Sequence, residues 1–454
     1  MRRVFFVAPL AAVLAALAVA LGATHQPFVL AGALVAVAAL AGLARVVGAA
    51  CAPGRLDLFS PIVAFPLLYL VWFGVASIPL LHDLDPPRAL TPIATEWPIY
   101  ALGLGAWFVG TWLASRVLGV TPVAGEHRPL ERFDSRRLFV ACVILFAVAA
   151  TATAAIVARR STPLLTSKVE ATRLLLTSSG WERLLFTGFA TVAILVLAHA
   201  ARERFRIALR FWALLALSIL GLATAGERGL VVLPVACGVI LAHYLWRALR
   251  PAHLATVLLP LAVFASATVI YRGTNTYGPQ YVAELQRISG VPRAALPAIP
   301  IYQGMWSGPN VFYRLQDVVP AKVGHGWGTY AAAPLVSFLP GEQEWAADAI
   351  KRTLDDRFIG LGEPATLLGA FYLDFGFVGI AVGMAVAGFA LTALYRRLRL
   401  RRDLFTTILF AHASFVAFLS LYGDLYNGNP LLLWNGALTW LVCRFAAKPD
   451  ASAA

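Results

Sequence analysis

Charge is scarce in this chain. Only 13% of its 454 residues are Asp, Glu, Lys or Arg, against 60% hydrophobic residues and a mean hydropathy of +0.75. That excludes a soluble globular domain and predicts an integral, polytopic membrane protein. Cysteine is scarce too: Cys51, Cys142, Cys237 and Cys443 lie in or beside apolar runs, so neither an external disulfide framework nor a thiolate metal site is expected. There is no Walker loop, no dinucleotide-binding glycine motif and no zinc-ligand spacing, which leaves ATP hydrolysis and zinc chemistry without support. A net charge of +14 would suggest nucleic acid in a soluble protein. In a membrane protein it reads as arginine gathered on the cytoplasmic side beside anionic lipid, with no nucleic-acid partner. The excess of Arg over Lys and the abundance of Ala suggest a GC-rich bacterial genome.

What is present is a series of apolar runs, each long enough to cross a bilayer at roughly 17–25 residues. Twelve are read, starting near Val4, Phe28, Ile62, Ile99, Leu138, Leu185, Ile207, Gly229, Leu254, Phe377, Leu404 and Leu431. The first, preceded by Arg2 and Arg3, also resembles a signal peptide; its removal would leave eleven spans with the same sidedness. With the N-terminus inside, 22 of the 37 basic residues fall on the cytoplasmic side, eight in one large loop and seven in all other outside loops. This bias orients the chain with both termini cytoplasmic. The expected fold is all-α, with about twelve transmembrane helices and one large extracytoplasmic loop. Residues 1–271 carry nine helices, 272–376 form the loop, and 377–454 carry the last three.

Two outside segments break the charge pattern. The loop between the fifth and sixth spans holds Arg159, Arg160, Lys168, Arg173 and Arg183 against Glu170 and Glu182. It reads either as an interfacial amphipathic helix touching lipid headgroups or as a site for an anionic substrate. Gly226-Glu227-Arg228-Gly229 is a short external turn that sets Arg228 at the membrane surface, where an arginine usually faces protein or a polar ligand.

The 105-residue loop, 272–376, carries eight basic and nine acidic residues, so any anion site in it must be local. Nine prolines and many glycines predict short helices joined by turns. Its aromatics, among them Trp306, Trp327 and Trp345, suit either sugar stacking or anchoring at the bilayer surface. His325, in Gly324-His325-Gly326-Trp327-Gly328, is the only histidine of the loop and the natural general-base candidate. Glu342, Glu344, Glu363 and Asp374 are the carboxylate alternatives. Asp374 stands inside the apolar run from Thr366 to Tyr395, so it lies at the membrane surface or within the bundle. Asp83-Leu84-Asp85 could hold a divalent cation, but a metal is not expected from so short a pattern.

The stretch from Gly360 to Gly379, GLGEPATLLGAFYLDFGFVG, resembles the late region of bacterial oligosaccharide repeat-unit polymerases of the O-antigen polymerase type. In that family a phrase T-x-x-G-x-x-Y-x-x-F-G-x-x-G precedes a late transmembrane helix. Gly226 to Gly229 is similar to the small-Arg-Gly entry of these polymerases and of the related O-antigen ligases, and Leu58-Phe59-Ser60-Pro61 before a span also fits. The resemblance implies a membrane glycosyltransferase of the plasma membrane that acts outside the cytoplasm. Its partners would be undecaprenyl-pyrophosphate-linked oligosaccharides, the bilayer and a chain-length regulator, and it would use neither cofactor nor metal. By the same resemblance Arg228 and Arg272 would hold the pyrophosphate, with Arg159, Arg160, Arg173 and Arg314 as further substrate-binding candidates. His325, Asp374 and Glu363 remain alternatives for the catalytic base. Three rivals stay open: the ligase itself, a polyprenyl-phosphate-dependent glycosyltransferase using Asp83 and Asp85, and a transporter or flippase of lipid-linked sugars. No internal repeat between the two halves favours the last.

Overall fold

A computed structural model describes residues 57–74, 97–119, 133–158, 180–224, 228–249, scattered positions between 253 and 278, and 280–289, 299–336, 365–401, 403–423 and 425–447. These residues are helical almost throughout, and among them the only ladder contact is an isolated bridge between Phe133 and Ala447. A chain in hydrocarbon must satisfy its backbone internally, and a helix does so within one segment.

The helices are α1 (Ala64–Tyr69, continued by one wider turn, Leu70–Gly74), α2 (Trp97–Val117), α3 (Ser135–Ala158), α4 (Gly180–Phe186), α5 (Gly188–Arg202), α6 (Leu209–Thr224), α7 (Arg228–Leu245), α8 (Gln280–Ser289), α9 (Ile299–Val318), α10 (Thr329–Val336), α11 (Thr366–Arg401), α12 (Leu404–Leu419) and α13 (Leu425–Ala446). Described positions between 253 and 274 are helical as well. Ser135–Ala158, Leu184–Arg202 and Thr366–Arg401 are long and apolar enough to cross a membrane, and several shorter apolar helices accompany them. The runs read near Val4 and Phe28 lie outside the described residues.

Helix α5 is the centre of the bundle: it contacts α3, α6, α7, α12 and α13, and Val192 to Val196 are all buried. The most extensive pairing is between α2 and α11, and small residues permit it. A Cβ at Gly110 would overlap the backbone of Ala385, and one at Gly388 would lie 2.5 Å from the carbonyl oxygen of Trp107. With no hydrophobic effect between helices in lipid, such close backbone approach is the main source of attraction. Trp107 is fully buried, stacks on Phe65 at 3.6 Å between ring centroids and donates from Nε1 to the carbonyl of Pro61 at 3.2 Å.

Helix α11 is not straight. Phe375 (φ −141°, ψ 17°) and Gly376 (φ 61°, ψ −147°) interrupt it, and the positive φ at Gly376 suits glycine alone. The outer piece, Thr366–Asp374, is a short helix packed on α2 and α9. The inner piece is the span, with a bare stripe at Val378, Val382 and Val386 that a bilayer would cover.

Helix ends gather into two sets. At the basic end, Asp134 N donates to Ala446 O at 2.9 Å, and the buried Arg396 guanidinium caps α2 through the carbonyls of Ala114, Ser115 and Leu118. Asp57 is the hub of this end. It accepts from Tyr244 Oη at 2.9 Å, from Tyr395 Oη at 2.7 Å and from His243 Nε2 at 3.3 Å, and lies 3.8 Å from Arg399. Leu249 N donates to His243 Nδ1, which fixes the neutral tautomer with its proton on Nε2, toward Asp57. One carboxylate thus ties α7 and α11 to the start of α1. At the opposite end Leu367 N donates to Ser420 O at 2.6 Å, joining α11 to the turn after α12.

Burial pushes the Asp57 carboxyl up, but its hydrogen bonds from His243, Tyr395 and Tyr244 hold it below the ordinary carboxylate value. A folded value below the unfolded one, about 4, gives a contribution that is complete above that pH and is lost as pH falls through the folded value. Asp57→Asn should therefore cost about 2–3 kcal/mol near neutrality. In thermal unfolding of the detergent-solubilised protein, the gap between wild type and variant should stay flat from pH 7 to 5 and close below about 4. A gap that persisted to the lowest pH would contradict this reading of Asp57.

Candidate functional site

At the end opposite the basic one, a loop is stitched to the break in α11. Helix α9 packs on the outer piece of α11 through Phe312, whose ring lies 5.8 Å from that of Tyr372. Tyr372 Oη donates to Val319 O at 2.9 Å, at the start of the loop. The chain then returns to the break in α11: Gly326 N donates to Leu373 O at 2.9 Å and Trp327 N to Asp374 O at 3.0 Å. The Asp374 side chain, fully buried, completes the seam. Its Oδ1 accepts from Gly328 N at 3.0 Å and Tyr330 N at 3.1 Å, and Oδ2 accepts from Ala331 N at 2.8 Å. These are the unsatisfied amides at the start of α10, where a carboxylate is also favoured by the helix dipole.

Two glycines make the close approach possible. A Cβ at Gly326 would come 2.8 Å from Asp374 Oδ1, and one at Gly376 would sit 3.2 Å from Cε1 and Nε2 of His325. The His325 imidazole therefore lies against the break in α11. It is flanked by the rings of Tyr372 at 5.7 Å and Trp327 at 6.2 Å, both edge-on. Its Nδ1 is buried and has no hydrogen-bond partner among the described residues. Trp327 is 76% exposed and its ring lies 6.2 Å from that of the exposed Phe375. The arrangement is an imidazole on a fixed loop, one nitrogen uncommitted, bordered by open aromatic faces.

Of the residues singled out in the sequence, the fold brings His325 and Asp374 together. Asp374 directs both oxygens at backbone amides, so its geometry is that of a fastening group; taking a substrate proton would weaken the hold on α10. Arg314 is half-buried on α9, the helix that leads into the His325 loop. Arg228 is the first residue of α7; its side chain lies outside the described set. Arg159, Arg160, Arg173, Arg272 and Glu363 also lie outside the described residues, as do Asp83 and Asp85.

Sequence reasoning did not single out Tyr372, Gly326 and Gly376 as parts of a site. The signal was present: glycines flank the histidine in GHGWG and follow the aspartate in YLDFG, as two backbones in contact require. Among the described residues no group of three or more His, Cys, Asp or Glu side chains gathers as a metal site would need. Comparison with family models, with characterised proteins and with solved structures gives no match.

Proposed function

We propose that the chain is a membrane glycosyltransferase that polymerises lipid-linked oligosaccharide repeat units outside the cytoplasm, with polyprenyl pyrophosphate as leaving group. The observation that carries this reading is the His325 loop fastened to residues 373–376. Those residues lie within the stretch whose pattern resembles the repeat-unit polymerases. In this reading the basic end faces the cytoplasm, and the His325 end faces out, where lipid-linked acceptors are presented.

The chemistry asks little beyond what the residues offer. The acceptor hydroxyl attacks the anomeric carbon of the donor glycan. A new C–O bond forms, the bond to the lipid pyrophosphate breaks, and the hydroxyl proton passes to the His325 imidazole. The leaving pyrophosphate needs its charge matched, which arginine does with a planar, permanently charged fork. Arg228 and Arg272 are the first candidates, with Arg159, Arg160, Arg173 and Arg314 behind them. Exposed Trp327 and Phe375 are suited to the apolar face of a sugar ring. Glu363 is the alternative base, and Asp374 has the supporting role described above.

The test is complementation of a deletion strain, read as surface-glycan length. Deletion should leave single repeats and no long chains. His325→Ala, Arg228→Ala and Arg272→Ala should each lower polymer at least about a hundredfold, with Arg→Lys failing to restore it fully. Normal chains from all three variants at normal expression would rule out this site. The ligase reading is favoured by the histidine in the loop and by the Arg228 motif, and predicts that deletion removes all capped lipid, single repeats included.

A further inference from the structure

At the basic end, away from the His325 site, the link between α5 and α6 adopts an unusual shape. Helix α5 closes with Phe205 N donating to Ala200 O at 2.6 Å and Arg204 N to Ala201 O at 3.3 Å. This closure normally uses glycine, because the residues after the helix turn left-handed. Here Arg204 (φ 54°) and Phe205 (φ 62°) both do so, a strained conformation for residues with side chains. The turn carries the Phe205 ring to 5.1 Å from Trp246, edge-on, and 6.5 Å from Trp212, stacked. Arg247 lies over Trp246 at 4.2 Å.

Arg204 and Arg206 flank Phe205 in the chain and Arg247 follows Trp246, and all three are exposed. None of the three pairs with a carboxylate among the described residues, and the nearby Glu203 lies against Arg202. Three clustered cations without a partner complement an anion, and aromatic rings beside them mark a headgroup level. Leading away from the cluster, α6 bears a bare stripe at Leu209, Leu217 and Leu220. From Leu209 to Leu220 the helix rises about 16 Å, or half of a hydrocarbon core of about 30 Å, the depth of one leaflet.

We infer that this corner is a binding site for one anionic phospholipid. The phosphate sits in the forks of Arg204, Arg206 and Arg247, and the acyl chains lie along the α6 stripe. The left-handed turn places Phe205 where it closes the headgroup pocket against Trp212 and Trp246. This site is independent of the proposed glycosyl transfer.

The probes are phosphatidylglycerol and phosphatidylcholine, added to the delipidated full-length protein and read by native mass spectrometry. Wild type should retain phosphatidylglycerol about tenfold better than phosphatidylcholine. The combined variant Arg204→Gln, Arg206→Gln and Arg247→Gln should lose that preference while melting as wild type does without lipid. The control Arg136→Gln, Arg137→Gln and Arg401→Gln removes equal charge from other exposed positions at the same end and should keep the preference. Equal retention of both lipids by wild type would overturn the site. Equal loss in the two variants would reduce it to general attraction of a basic surface, which also overturns it.

Discussion

Asp374→Ala should free the His325 loop and reduce polymer to the level of the deletion strain. The buried carboxylate serves three amides of the Gly328–Ala331 segment, and alanine leaves all three without an acceptor. An amide left without its acceptor costs up to about 1–3 kcal/mol where it is shielded from water, and less at the exposed Ala331, so the loop loses its main fastening. The loss stays local because α11 remains anchored on α2 through its inner piece. Hydrogen exchange at residues 325–331 should accelerate by two or more orders of magnitude, while helices α5 and α12 keep wild-type protection. Asp374→Asn should fall between: its carbonyl oxygen can still serve Gly328 and Tyr330, but its amide group faces the N–H of Ala331. The exchange measurement does not depend on the proposed activity. Unchanged exchange at 325–331 in Asp374→Ala would remove Asp374 from its fastening role even if polymer were lost.

Gly110→Val should prevent the protein from accumulating in the membrane. Its Cβ would collide with the main chain of Ala385, and main chain cannot move aside as a flexible side chain can. Separating α2 from α11 would loosen the largest helix contact of the described fold, with an expected loss above about 3 kcal/mol. Even Gly110→Ala should lower the melting temperature strongly. Gly229→Ala is the control, because nothing lies within 4 Å of the added methyl group. Size-exclusion profiles of detergent extracts compare the three directly. A monodisperse Gly110→Val protein at wild-type yield would show that the α2–α11 approach is not what holds the pair.

Much of the helical layout was legible because hydropathy is a local property. The run beginning near Leu138 reads as a span and is the helix Ser135–Ala158; the segment near Leu404 is α12. The break at Phe375 and Gly376 was not read from the sequence, which placed Asp374 within one apolar run from Thr366 to Tyr395. The role of Asp374 was not legible. Its amide partners lie 43–46 residues earlier in the chain, and no local pattern records which loop returns to it. Asp57 shows the same limit more sharply, because Tyr244 and Tyr395 reach it across 187 and 338 residues. His325 stood out by its rarity in a loop, but its placement against Gly376 depends on tertiary packing alone. Arg228 and Arg272 were singled out for pyrophosphate by the resemblance, and Arg159, Arg160 and Arg173 by charge in a loop read as external. That signal is electrostatic and carries no geometry.

The pairing of α2 with α11 also bears on the order of synthesis. Gly110 emerges from the ribosome long before Ala385 exists, with more than half of the chain still unmade. Throughout that interval the glycine face of α2 is exposed to lipid or to whatever chaperones the nascent chain. A face shaped for close backbone contact is also competent to pair with the same face of a second nascent chain. Productive insertion is then a race between the arrival of α11 and encounter with a neighbouring copy. Slow translation between the two helices should shift material toward misassembled dimers without changing a single residue of the finished protein.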